Sequence, residues 1–126
     1  MKLLESLFVS IIYTLKRWRN YSGRSSRLEF WLYMLFLIAS VTCLFSLNTV
    51  IEPVSSVAAT VIAWLVLIFI YVPALAVMVR RLHDLNITGW ALAINLLPVV
   101  GGGIILIAMI WPGTKSQNQF GPVTSI

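Results

Sequence analysis

The sequence predicts an all-α membrane protein with three transmembrane helices, preceded by an amphipathic interfacial helix. The third span either crosses the bilayer or breaks into a re-entrant segment. Three observations carry this reading. Hydrophobic residues make up 60% of the 126 and charged residues 10%, against roughly half and a quarter in soluble domains. Uncharged, apolar runs cover residues 30–51, 53–79 and 85–114, and about 20 helical residues suffice to cross the hydrocarbon. The ionisable residues gather between these runs, most densely at Arg80-Arg81-Leu82-His83-Asp84. That cluster must sit where two apolar segments meet water, which makes it the best candidate for chemistry.

The chain begins with a helical pattern. Leu3, Leu4, Leu7, Phe8, Ile11, Ile12 and Leu15 recur on one face, while Lys2, Glu5, Ser6, Ser10 and Thr14 lie elsewhere. Glu5 interrupts the apolar run, no small-residue cleavage site follows, and the strongest positive charge comes after the run, so an interfacial helix fits better than a signal peptide. The stripe suits lipid or a protein neighbour equally. Lys16-Arg17-Trp18-Arg19-Asn20-Tyr21 then interleaves cations with aromatics. Beside a span this pattern suits anionic headgroups better than nucleic acid. Residues 1–20 thus form one unit, residues 21–122 a transmembrane domain and residues 123–126 a terminal end.

Ser22-Gly23-Arg24-Ser25 reads as a turn, and Ser26-Arg27-Leu28-Glu29 has capping-box spacing. Glu29 therefore has a structural reading in which it reaches back to the Ser26 amide. The first span follows over residues 30–51, with Trp31 and Tyr33 near its inner end. Glu52-Pro53 breaks the helix. Pro73 should kink the second span and free the Phe69 carbonyl. Gly89-Trp90 opens the third apolar segment, which runs to about Trp111 and is interrupted by Pro98 and Gly101-Gly102-Gly103. Its length fits a single crossing better than two, and a re-entrant hairpin with the glycines at its tip is the alternative. The polar tail, residues 112–126, reads as an ordered turn or a loose end.

Sidedness follows from Lys and Arg. Six precede the first span, none lies between the first two spans, two follow the second, and the tail has Lys115. Positive residues stay cytoplasmic, so the N-terminus and the Arg80 cluster are expected inside and Glu52 outside. A single third crossing puts the tail in the periplasm, whereas a re-entrant one returns it to the cytoplasm.

The ordered blocks Ser22-Gly23-Arg24, Arg27, Glu29-Phe30-Trp31, Pro73, Arg80-Arg81-Leu82-His83-Asp84, Gly89-Trp90, Pro98, Gly101-Gly102 and Asn118-Gln119-Phe120-Gly121-Pro122 resemble the DUF 805 (YhaH-like) family of small bacterial inner-membrane proteins. The resemblance spans approximately residues 18–122. It implies an inner-membrane location and this architecture, and no activity. Asn86 and Ile87 stand where family members often have glycine and a basic residue, and Ala91 where a second tryptophan is common. Asn86 still tolerates a left-handed turn, while the missing basic residue weakens any phosphate-binding role carried over from relatives.

The cytoplasmic-end residues support two readings. In the first, Arg80 pairs with Asp84 four residues on, Glu29 reaches Arg80 or Arg81 from the neighbouring helix, and the ion pairs pin the loops. In the second, Arg24, Arg27, Arg80, Arg81 and His83 form a site for an anionic lipid or phosphate headgroup, with Glu29 and Asp84 holding the guanidinium groups. His83 and Asp84 are the single histidine and aspartate, and Cys43 is the single cysteine. That supply falls short of a zinc set or a catalytic constellation. The chain is therefore read as a non-enzymatic structural or interaction protein without cofactor or metal. Its expected partners are membrane lipids, a second copy or another membrane protein, and no nucleic acid. Transport is disfavoured because no span carries a charge in its interior.

Overall fold

The computed structural model describes residues 2–51, 57–97 and 100–123. The expected breaks at Glu52-Pro53 and Pro98 lie outside them, as do residues 124–126. The elements in order are α1 (Lys2–Lys16), α2 (Arg27–Ile51), α3 (Val57–Asp84), a 3-10 helix (Gly89–Leu96) and α4 (Val100–Ile110). Extended pairing among the described residues is limited to an isolated bridge between Asn118 and Gly121.

Two helices, α2 over Arg27–Leu47 and α3 over its whole length, are long and apolar enough to cross a membrane. α2 starts where the sequence places it. The Glu29 amide donates to Ser26 Oγ at 3.1 Å, and the Phe30 amide donates to the Ser26 carbonyl. This is half of the expected capping box, because the Glu29 carboxylate turns away to other partners. Polar side chains within α2 are satisfied locally: Ser40 donates to the Phe36 carbonyl and Thr42 to that of Ile38, which suits an apolar surrounding. Tyr33 is fully buried and its hydroxyl donates to the Ile70 carbonyl at 2.9 Å. That bond ties α2 to α3 beside Pro73, one residue beyond the carbonyl that the proline ring frees.

α1 packs on both α2 and α3. Its buried positions are Ser10 and Thr14, flanked by half-buried Leu7, Ile11 and Leu15, while Phe8 and Ile12 are exposed. The packing face is thus rotated towards the polar flank, and Ser10 and Thr14 belong to it rather than lying apart from it.

The third apolar run departs from a single crossing. It divides into the 3-10 helix of eight residues and α4 of 11. At about 1.5 Å per residue α4 covers roughly 16 Å, about half the hydrocarbon thickness. Gly89, at the start of the run, packs on Val79 of α3. At its far end the Thr114 amide donates to the Asp84 carbonyl at 2.9 Å. The run therefore leaves and returns to the same end of α3. Of the two arrangements expected for residues 90–111, the described residues form the broken one, two short helices in place of one continuous helix, and the tail stands beside the arginines rather than at the opposite end of the bundle. Gly101 makes the hairpin possible, since a Cβ there would lie 1.9 Å from the Ile94 carbonyl oxygen.

The core is asymmetric. Phe30, Tyr33, Met34, Ala74, Val77, Leu82, Ile105 and Met109 pack together near the arginine end. Ile105 and Met109, four apart on α4, present one stripe to it. Farther along, Leu35, Ile38 and Phe45 of α2 and Val61, Leu65 and Phe69 of α3 are exposed. The bundle is closed at one end and open at the other.

Gly101→Ala should lower stability in detergent by about 1–3 kcal/mol through overpacking. Gly102→Ala and Gly103→Ala should not, because a Cβ at either meets nothing within 4 Å. Thermal unfolding of the three variants followed by tryptophan fluorescence checks this, and equal effects at all three would contradict the hairpin contact.

Candidate functional site

α3 ends in a turn that the sequence specifies. The Ile87 amide donates to the Leu82 carbonyl and the Asn86 amide to that of His83, with Asn86 at φ 63°. This is the helix-closing arrangement that needs a left-handed residue, usually glycine and sometimes asparagine. It sets Arg80, Arg81 and Asp84 in the last turn, facing into the protein.

Arg80 is fully buried. Its Nη2 pairs with Glu29 Oε1 at 3.0 Å, and its Nη1 donates to the carbonyls of Asn20 at 2.8 Å and Arg17 at 3.2 Å. Those carbonyls follow the last turn of α1, the Arg17 carbonyl also accepting from the Asn20 amide at 2.9 Å, and the negative end of the helix dipole favours a cation there. Nε of Arg80 has no acceptor among the described residues. Glu29, also buried, accepts from Thr14 Oγ1 at 3.2 Å and Ser25 Oγ at 2.8 Å. The Ser25 amide in turn donates to the Arg80 carbonyl. One ion pair therefore joins α1, α2, α3 and the turn between the first two.

Arg81, fully buried as well, performs the same service for α4. Nη1 pairs with Asp84 Oδ2, Nη2 donates to the Trp111 carbonyl, and Nε reaches the Met109 carbonyl at 3.4 Å. Asp84 Oδ1 receives Nε and Nη2 of Arg24 at 2.8 and 2.7 Å. The remaining Arg24 donors take the tail carbonyls of Thr114, Ser116 and Gly121. The expected Arg80–Asp84 pair is replaced by Arg81–Asp84 at three-residue spacing, with Arg80 given to Glu29. Both spacings face each other on a helix, and the neighbouring elements decide between them.

His83 is half-buried, and its ring stacks on Phe120 with centroids 3.9 Å apart. Nδ1 lies 3.2 Å from the Gly23 carbonyl, an oxygen that can only accept. The His83 carbonyl accepts from Asn118 Nδ2 at 2.8 Å. Arg27 stands apart: it is exposed and makes no ion pair or hydrogen bond among the described residues. The five residues expected to form one anion site thus divide into three buried arginines, one stacked histidine and one exposed arginine.

The family model for "Protein of unknown function (DUF805)" matches residues 18–122. The chain belongs to this family. Inner membrane protein YhaH of Escherichia coli (strain K12) is 30% identical over 108 residues, covering 86% of this chain and 89% of the relative. Inner membrane protein YhaI of the same strain is 32% identical over 108 residues, covering 85% and 87%. No solved structure matches the chain. The DUF805 match takes in Arg24, Glu29, Arg80, Arg81 and Asp84 and begins after Thr14. The α1 contribution to the Glu29 carboxylate therefore lies outside the matched region.

Thr14, Ser25 and the tail carbonyls are parts of this site that sequence reasoning missed. Ser10 and Thr14 four apart within an apolar helix were a legible signal. Carbonyl acceptors leave no mark in a sequence. Gly113 left one without an address: a Cβ there would meet Asp84 Oδ2 at 1.8 Å.

Breaking a buried pair by removing one partner costs about 3–5 kcal/mol. Arg80→Met and Glu29→Gln should each destabilise by roughly that amount, and the double variant by clearly less than their sum. Unfolding of the four proteins in one detergent measures the coupling. Strict additivity would contradict a direct pair.

Proposed function

We propose that the protein is a non-enzymatic structural and interaction protein of the bacterial inner membrane, built as a two-span hairpin with a half-inserted third segment. Its arginine end, both flanking segments included, faces the cytoplasm. One observation carries the reading: Arg24, Arg80 and Arg81 direct their guanidinium groups at internal carboxylates and carbonyls. Groups occupied in this way clamp chain segments together and leave the forked geometry that would grip a phosphate already in use. The exposed flanks of α2 and α3 away from the core are where lipid or a partner's span would lie.

The orientation rests on the count of cations. With the third segment folded back, all Lys and Arg positions fall on segments flanking one membrane face, and the intervening connection has none. A single crossing would instead strand Lys115 on the other side. The positive-inside tendency favours the folded-back arrangement.

Two experiments test this. Replacing Arg80 and Arg81 with lysine keeps charge but removes planar, multi-acceptor contacts. We expect a lower unfolding temperature with anionic lipid retained per folded molecule unchanged. Normal stability with loss of retained lipid would favour the phosphate-site alternative instead. For orientation, single cysteines at Ser22, Val57 and Ser116 in a Cys43→Ser background would be exposed to a membrane-impermeant thiol reagent applied from the periplasmic side. We expect labelling at position 57 alone, and labelling at 116 would reject the folded-back third segment.

A further inference from the structure

The clasp leaves two cations at the same end unused. Arg27, in the first turn of α2, and Lys115, in the tail, are exposed and have no ion-pair or hydrogen-bond partner among the described residues. Both line one cleft of about 660 Å³ between the start of α2, the end of α4 and the tail. The Arg24–Asp84 pair forms part of its lining, and both Asp84 oxygens are already taken by Arg24 and Arg81. No carboxylate in the lining is therefore left for Arg27 or Lys115. The other walls include Leu28, Trp31, Ile110 and Val123. Ser26 also lines the cleft, and its Oγ accepts from the Glu29 amide, which leaves its hydroxyl hydrogen to donate.

We propose that this cleft is a seat for the phosphodiester headgroup of an anionic phospholipid. Arg27 and Lys115 hold the phosphate oxygens, the first as a planar fork and the second as a point charge. Leu28, Trp31, Ile110 and Val123 lie along the glycerol and the first acyl carbons. Three features select a lipid over free phosphate. The cleft joins cations that have no ion-pair partner among the described residues to apolar walls, which a free ion would leave facing water. It opens at the end of two helices long enough to span, where headgroups lie, and a tryptophan belongs at that depth. Its size falls within the roughly 300–1,000 Å³ usual for small-ligand sites. The cleft shares the Arg24–Asp84 wall with the buried arginine network, but its two phosphate-holding cations, Arg27 and Lys115, take no part in that network, so removing them tests the cleft alone.

The test uses the full chain in nanodiscs containing phosphatidylglycerol and phosphatidylcholine, extracted gently and weighed by native mass spectrometry. The parent should retain phosphatidylglycerol over phosphatidylcholine. Arg27→Gln with Lys115→Gln should lower retained phosphatidylglycerol at least fivefold, since one cation at an anionic surface contributes roughly that factor. Lys16→Gln with Arg19→Gln removes the same charge from exposed positions in the basic segment at and after the end of α1 and should lower retention less than the Arg27 and Lys115 pair does. Lys115→Gln alone, on a side chain with no internal contact to lose, keeps the test decisive if the double variant does not fold, and should still lower retention severalfold. Unchanged retention in both Lys115 variants overturns the proposal. An equal loss in the Lys16 and Arg19 variant overturns it too, because general surface charge then suffices. Displacement of the bound lipid by millimolar inorganic phosphate would assign the cleft to free phosphate and overturn the lipid assignment.

Discussion

A guanidinium buried at the end of a membrane helix has donors that water cannot reach, and a helix that ends has carbonyls with no amide to accept from. This fold joins the two requirements. Arg80 closes the carbonyls after α1, Arg81 those at the end of α4, and Arg24 those of the tail. Glu29 and Asp84 balance two of the three charges, and the third is spread over carbonyl oxygens at helix ends, where the helix dipole favours it. α1, α2, α4 and the tail are each held to the end of α3 by at least one of these arginines.

The folded-back third segment depends on this arrangement. Backbone at membrane depth is tolerated only where its polar groups are satisfied within the protein. The two limbs are short, so much of their hydrogen-bonding capacity lies at their ends. Arg81 satisfies the end of the second limb, and the Asp84 carbonyl receives both the amide and the hydroxyl of Thr114. The tail then completes a tight turn, with Asn118 and Gly121 exchanging backbone bonds and Asn118 reaching back to the His83 carbonyl. The cap of α3 and the anchor of the tail are one structure. The closed end is consequently ordered by polar contacts and the open end by whatever surrounds exposed apolar side chains.

Much of this was legible in the residues. Uncharged runs located α2 and α3, Ser26 marked the start of α2, and Asn86 allowed the left-handed turn that ends α3. Arg24, Glu29, Arg80, Arg81 and Asp84 could be expected together because each stands beside an apolar run, whereas a single third crossing would have put Lys115 at the opposite end. Pairing was harder to read. Arg80 and Arg81 both have a carboxylate within helical reach, and the choice depends on Glu29 arriving from α2 with Thr14 and Ser25 behind it. The path of the third run was ambiguous because 22 residues have the length of a span whether or not they cross. What decides it is the close fit of Gly101 against the Ile94 backbone and of Gly113 against Asp84 on another element, contacts that the hydrophobic pattern does not encode. α1 misled for a related reason: its apolar stripe was evident, but the buried carboxylate draws in the threonine beside that stripe.

Hydrogen exchange in nanodiscs, resolved by peptide, tests the arginine clasp most directly. In the parent, peptides covering residues 112–121 should be protected, because the amides of Thr114, Asn118, Phe120 and Gly121 all have acceptors. Arg24→Gln should release that tail while leaving residues 14–20 protected, and Arg80→Gln should do the reverse. Free exchange of the tail in the parent, or an Arg24→Gln protein whose tail exchanges no faster than the parent's, would contradict the claim that these arginines hold the end of the bundle together.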